Sequence, residues 1–239
     1  MTTIEAKSFA KLNLTLEVLG KRTDGFHEIS SIMQTISLAD HIEVMPAREL
    51  SLECDLSSIN NNANLAMRAA CLLRKRLNIR DGAHIRITKE IPLAAGLGGG
   101  SSNAVVALKL LKSLWAVEVT DTDLSKLVAE IGSDLPFFLN GGTAIVQGRG
   151  ERVRQIPNNK SSFFVVVVPE LNVQDKTKVM YSKLRRSDFT SGGLSRKLEA
   201  RIRLGGDVPD QLLHNAFQEI LIGTVPSVRK SYKALQAVG

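Results

Sequence analysis

Aromatic residues are scarce in this chain: Phe, Tyr and Trp make up 5% of its 239 residues, with one Trp. Single-stranded nucleic acid is usually gripped by repeated aromatic platforms, so that class is disfavoured in spite of a net charge of +7. No block of five basic residues occurs either. The two cysteines, Cys54 and Cys71, have no metal or redox spacing and read as small buried hydrophobes in a reducing compartment. His27, His41, His84 and His214 are scattered and outline no zinc site. The longest apolar run, Phe163 to Val168, stops at Pro169 after six residues. It cannot cross a bilayer and reads as a buried strand over Ser162–Pro169. The N-terminus lacks the apolar core of a signal peptide, so a cytoplasmic location is expected.

What is present is a globular composition, 44% hydrophobic and 23% charged, long enough for one large or two modest domains. Lys11, Asn13, Thr15 and Glu17 alternate with Leu12, Leu14, Leu16 and Val18. This period of two is a strand with one apolar and one polar face. Lys11 and Asn13 then point the same way, roughly 7 Å apart. The plain reading of the polar side is the solvated face of an edge strand. Further strands are expected at His41–Pro46, Leu50–Cys54, His84–Ile91 and Gly141–Val146. Helices are expected from an Asn64 cap to Leu77, at Asn103–Trp115, and at Asp121–Ile131, where Gly132 and Pro136 stop the third. Beyond the polar connection at Pro157–Lys160, the preferred domain boundary, helical patterns follow at Lys176–Lys183, Leu194–Leu204, Gln211–Ile220 and Val225–Val238.

Residues 92–102, Pro-Leu-Ala-Ala-Gly-Leu-Gly-Gly-Gly-Ser-Ser, carry the most information. Four glycines precede an amphipathic helix. Glycine admits φ > 0 and lets backbone N–H groups approach a ligand. A helix beginning with Ser101 or Ser102 as N-cap would add free N–H groups and a positive dipole end, which together suit polyphosphate. A Walker A loop is excluded because the loop contains no lysine. A dinucleotide fingerprint fails because Ser101 stands where the third glycine belongs and Pro92 separates loop from strand. A glycine-rich turn before an ordinary helix is the plain alternative.

The loop resembles the second signature motif of the GHMP small-molecule kinases. Two segments add to the resemblance: Phe9-Ala10-Lys11-Leu12-Asn13-Leu14-Thr15-Leu16 with its continuation Gly20 to Glu28, and Gly132-Ser133-Asp134-Leu135-Pro136-Phe137-Phe138. Matches run from about Lys7 to about Asn215. The resemblance implies an α+β, two-domain GHMP kinase fold. Residues 1–157 would form the nucleotide-binding α/β domain and residues 158–239 a ferredoxin-like α+β domain. Within that family the motif order resembles the branch acting on 4-diphosphocytidyl-2-C-methyl-D-erythritol, in non-mevalonate isoprenoid biosynthesis. The implied reaction moves the ATP γ-phosphoryl onto the 2-hydroxyl of that alcohol.

By the same resemblance Pro92, Leu93, Ala94, Ala95, Gly96, Leu97, Gly98, Gly99, Gly100, Ser101 and Ser102 bind ATP, with Gly96–Ser102 holding its phosphates through backbone N–H groups. Mg²⁺ accompanies them, with Ser101 or Ser102 as a candidate ligand and no carboxylate marked as a second one. Asp134 is the catalytic aspartate and Lys11 its partner, orienting or polarising the attacking oxygen. Asn13, Phe26, His27 and Thr177 fall to the acceptor pocket. There the flat face of Phe26 and the hydrogen-bonding edges of His27 suit a cytosine ring. On residue type alone, Asp134 is a turn or cap residue and Phe26 a core residue. The implied partner is this small molecule, with neither nucleic acid nor membrane, in a monomer or homodimer.

Two departures stand out. The family's third, Gly-Ser-Gly-Pro motif has no counterpart before Gly239, which predicts an incomplete second domain. Asn215-Ala216-Phe217-Gln218 also replaces the usual Asn-Asp-Leu-Glu. A sibling kinase of the homoserine or mevalonate type is one alternative, disfavoured by Gly25-Phe26-His27. A non-catalytic nucleic-acid-binding module is another, disfavoured by the co-occurrence of Lys11, the glycine loop and Asp134.

Overall fold

A computed structural model describes residues 3–158, 162–170 and 176–237. Along the chain run β1 (Ile4–Lys21), β2 (His27–Ala47), β3 (Ser51–Cys54), α1 (Leu65–Arg76), β4 (Gly82–Thr88), α2 (Gly99–Leu114), α3 (Asp121–Ile131), α4 (Leu135–Phe138), β5 (Thr143–Gly148) and β6 (Arg152–Ile156). There follow α5 (Lys176–Ser182), α6 (Gly193–Arg203), β7 (His214–Asn215), α7 (Gln218–Thr224) and α8 (Pro226–Gln236). Two compact units result. One holds Met1–Leu12 and Thr35–Gly141, the other Asn13–Gln34 and Gly142–Gly239.

In the first unit the strand order is β3-β4-β2-β1. Strand β4 lies antiparallel to β2, from His41↔Thr88 to Ala47↔Gly82, and parallel to β3. One face of this sheet is a ladder of charge running Glu5, His41, Glu43, Arg86 and Glu53. Such exposed pairs contribute little individually. Stability comes instead from the buried Ile42, Val44, Ile85 and Ile87, each worth about 1.5–3 kcal/mol when fully withdrawn from water. Helices α1 and α2 pack together, with Ala66, Ala69 and Ala70 on α1 and Ala104, Ala107 and Leu108 on α2 fully buried. The small alanines permit close helix approach. Asn64 caps α1 as expected, its Oδ1 accepting from Ala66 N at 2.9 Å.

In the second unit β7 pairs parallel with β1, and β2 pairs antiparallel with β5, which pairs with β6. Leu14, Ile32, Ile145, Ile156, Leu198 and Ile202 form its core. The polar positions Thr15 and Glu17 of β1 are not solvated here, because the first turn of α6 packs on that face through Ser195. Thr15 and Glu17 are buried. Thr15 Oγ1 shares a 2.8 Å hydrogen bond with Ser195 Oγ and accepts from Ile32 N. Glu17 accepts from the N–H groups of Leu194 and Ser195, at 3.4 and 2.7 Å. It thereby serves the first turn of α6, whose own N-cap, Gly192, has no side chain to offer. Burial pushes the Glu17 carboxyl up, but bonds from the Ser195 and Leu194 N–H groups and the Ser195 and Thr190 hydroxyls outweigh it and hold the group below its ordinary value.

Four expectations are corrected. The strand at Ser162–Pro169 does not form: residues 162–170 carry no regular structure, and Phe163 and Val165 are exposed. Apolar β-branched residues favour a strand only when a partner supplies the ladder. The helix at Gln211–Ile220 is broken by β7, and α7 begins only at Gln218. Cys54 is buried as expected, but Cys71 is exposed. Helix α2 begins at Gly99 with Gly98 as N-cap, so neither Ser101 nor Ser102 caps it.

Candidate active site

The glycine loop is held at its middle by Leu97, buried with Ala10 and Ile91. Leu97 O accepts from the Lys11 N–H at 2.9 Å, tying the loop to β1. Pro92, Leu93, Ala94, Gly96 and Gly100 are exposed, and Ala95, Gly98, Gly99 and Ser101 are half-buried. Gly96 and Gly98 take φ of +82° and +74°, and Ala94 sits at +55°. A left-handed alanine costs about 1–3 kcal/mol. The left-handed Gly98 followed by helical Gly99 is the alternation that turns successive N–H groups into an anion nest. Gly98 gives α2 no side-chain cap, and the first turn of α2 contains no acidic residue. The positive end of the helix is therefore not countered from within it.

Ser102 does not face this nest. It is buried, and its hydroxyl accepts from Ser8 Oγ at 2.8 Å. Of the two serines, only the half-buried Ser101 stays near the surface.

Asp134 stands at the N-cap position of α4 without a side-chain capping bond. Its carboxylate instead lies 3.7 Å from Lys11 Nζ, with Lys11 side chain 7% and Asp134 43% exposed. The lysine is thus fixed in the core while the carboxylate meets solvent. The cap reading of Asp134 loses its basis. The same turn is packed on the glycine loop. A Cβ added to Gly98 would lie 2.6 Å from the Phe138 ring and 3.1 Å from Lys11 Cγ. Phe138 in turn meets the buried Phe137 edge to face, with ring centroids 5.2 Å apart. The structure therefore brings Lys11, Asp134 and Gly98 together within the first unit.

The remaining sequence-derived residues lie in the second unit. Asn13 Nδ2 donates to Ser31 Oγ at 2.8 Å. Phe26 is exposed, with the Arg149 guanidinium 5.0 Å from its ring centroid. Its loop is braced by Arg22, which pairs with Asp24 and Glu28, and by Asp24 Oδ1, which accepts from Phe26 N. His27 stacks on Tyr181 at 4.9 Å and meets Phe189 edge-on at 6.1 Å, while Phe217 meets Tyr181. Burial, and next the charge of Lys21, pull the His27 pKa below its ordinary value. The imidazole is therefore neutral near pH 7, able to donate from one nitrogen and accept at the other. Thr177 is exposed on α5, one turn before Tyr181 and so on the same face. Tyr181 is the residue that sequence reasoning missed; its spacing of four from Thr177 was the available signal.

Residues 64–142 match the family of the GHMP kinases N terminal domain. A 4-diphosphocytidyl-2-C-methyl-D-erythritol kinase of Dehalococcoides mccartyi is 39% identical over 222 residues, 92% of this chain and 78% of that protein. A crystal structure of 4-(cytidine 5'-diphospho)-2C-methyl-D-erythritol kinase superposes with a TM-score of 0.80 at 32% identity, covering 99% of this chain and 84% of that one. A homoserine kinase from Cytophaga hutchinsonii shares the fold alone, with a TM-score of 0.67 at 15% identity over 100% of this chain and 80% of that one. Carried by identity along nearly its whole length, the chain belongs to the 4-diphosphocytidyl-2-C-methyl-D-erythritol kinase family of GHMP kinases.

Proposed function

We propose that this chain transfers the γ-phosphoryl group of ATP to the 2-hydroxyl of 4-diphosphocytidyl-2-C-methyl-D-erythritol. The observation that carries the reading is the 3.7 Å approach of Lys11 to an Asp134 carboxylate that is not used as a cap, against the glycine that starts α2. We assign the triphosphate to the loop from Pro92 to Ser102. Gly96 and Gly98, both left-handed, leave space and orientation for N–H donors, each charge-assisted bond contributing about 1.5–3 kcal/mol. Bound Mg²⁺ would neutralise phosphate charge, and Ser101 is the hydroxyl assigned to it, since Ser102 is engaged by Ser8. These residues all lie within 1–157, which we assign as the nucleotide-binding domain, with 158–239 as the C-terminal domain.

Asp134 accepts the proton of the 2-hydroxyl as the oxygen–phosphorus bond forms, and ADP leaves with the old bridging oxygen. Lys11, beside the carboxylate, orients it and steadies charge on the attacking oxygen. Positioning and charge stabilisation are nearly all that phosphoryl transfer asks of a protein. Asn13, Phe26, His27 and Thr177 are assigned to the acceptor, with Tyr181 joining them through its stack on His27. A neutral imidazole can both donate to and accept from a cytosine edge.

The test is a panel of acceptors followed by ³¹P NMR. With ATP and Mg²⁺, a new phosphomonoester signal should arise from the diphosphocytidyl alcohol and not from mevalonate or homoserine. Phosphorylation of only one of the other two would overturn the acceptor assignment.

A further inference from the structure

Beneath the glycine loop lies a buried ion pair that the chemistry above does not use. Asp40, near the middle of β2, and Lys89, just after β4, meet through Oδ2 and Nζ with their side chains 0% and 2% exposed. Burying two charges costs several kcal/mol per ion, and replacing such a pair by apolar residues is often neutral or stabilising. Stability alone is therefore a weak reason for its presence. Its hydrogen bonds point elsewhere.

Asp40 Oδ1 accepts from the N–H groups of Glu90 and Ile91, both at 2.8 Å, immediately upstream of Pro92. Asp40 Oδ2 accepts from Asn103 Nδ2 at 2.8 Å, immediately downstream of Ser102. Lys89 Nζ donates to Asn103 Oδ1 at 3.1 Å. Ser8 completes the set, its Oγ accepting from Asn103 Nδ2 at 3.0 Å and donating to Ser102 Oγ at 2.8 Å. Both ends of the loop thus meet on one carboxylate. The loop also rests on the clamp directly, since a Cβ on Gly99 would lie 3.0 Å from Ile91 Cγ2 and 3.2 Å from Lys89 Nζ.

We propose that Asp40, Lys89 and Asn103 are positioning residues for nucleotide binding, holding the two ends of the glycine loop at the separation its anion nest requires. The inference rests on the assignment of ATP to that loop. None of the clamp's bonds uses an N–H of residues 96–101, so the nest is shaped without drawing on its donors. A loop held in its binding geometry beforehand loses less entropy when the phosphates arrive.

Asn103→Ala removes the bridge and leaves the ion pair intact. The Michaelis constant for ATP should rise about tenfold while that for the acceptor stays within twofold, a split that a general loss of folded protein cannot produce. Ser8→Ala, which loosens the same bridge with a smaller change, should raise the ATP constant by about threefold. An ATP constant within twofold of the parent in both folded variants, or equal shifts in both substrates' constants, would overturn the proposal. Equilibrium titration of the unaltered protein with ATP separates the two readings: failure to bind there sinks the loop assignment itself, whereas normal binding with unaffected variants sinks only the clamp.

Discussion

Lys11 and Asp134 come from opposite ends of the first unit's sequence, and no local pattern links them. What links them physically is Gly98, whose missing side chain leaves room for both Lys11 Cγ and the Phe138 ring. Sequence resemblance named the two residues; the 3.7 Å separation and the uncapped carboxylate give that naming a chemical basis. The aromatic surroundings of His27 were less legible. Phe26 and His27 are adjacent in sequence, but Tyr181, Phe189 and Phe217 are remote, and only the four-residue spacing of Tyr181 from Thr177 hinted at the cluster. These neighbours have a consequence for pH. Burial and Lys21 lower the His27 pKa, so its neutral form persists below the ordinary value of about 6.5. The affinity for a cytidine-containing acceptor should therefore stay flat as pH falls from 8 through 6.5 and weaken only below that, as the imidazole gains its proton. Titration by fluorescence or calorimetry across this range checks it. A loss centred at or above pH 6.5 would show that His27 is not held neutral or does not meet the base.

At the scale of elements, hydrophobic period located β4, α1, α2, α3 and α6 to within a few residues, and the middle of β1, which runs on from Ile4 to Lys21. It misjudged environment. The alternation in β1 shows that its two faces differ, yet it does not say which face meets water. Thr15 and Glu17 are buried because other polar groups, Ser195 foremost, answer them. The start of α2 was misplaced for a related reason. Ser101 and Ser102 have the side chains of N-caps, but left-handed Gly98 already turns the chain into the helix. This makes Gly98 the most restrictive position of the loop. Gly98→Ala would force a side chain into the left-handed region and against Phe138, at 2.6 Å from its ring. ATP affinity should fall at least tenfold, and stability by about 1–3 kcal/mol. Nucleotide titration and thermal unfolding of the variant measure both. Unchanged affinity would show that the loop's backbone is not the phosphate cradle.

Across the whole molecule, the family was recoverable from three motifs, whereas the stretch Ser162–Glu170 was not. Its composition calls for a strand, but its Phe163 and Val165 side chains are 102% and 85% exposed. Strand formation is a property of two segments, and one segment's sequence cannot supply the other. An exposed apolar, β-branched run without charge is a site for association between chains. Val165→Lys should lower concentration-dependent self-association in sedimentation experiments while leaving the unfolding midpoint nearly unchanged, as befits an exposed position. Equal association by the variant would show that this run is not the sticky surface. Among the described residues no helix is long and apolar enough to cross a membrane.

The proposed catalysis is a separation of labour: glycine-loop amides bind nucleotide, and the Asp134 carboxylate handles the proton. One comparison tests this directly, single-turnover phosphoryl transfer and equilibrium ATP binding measured side by side for the parent and Asp134→Asn. The expected rate is lower by about 10²- to 10⁴-fold, with ATP affinity within a few-fold of the parent. A variant that keeps its rate, or loses rate and nucleotide affinity in equal measure, would contradict it.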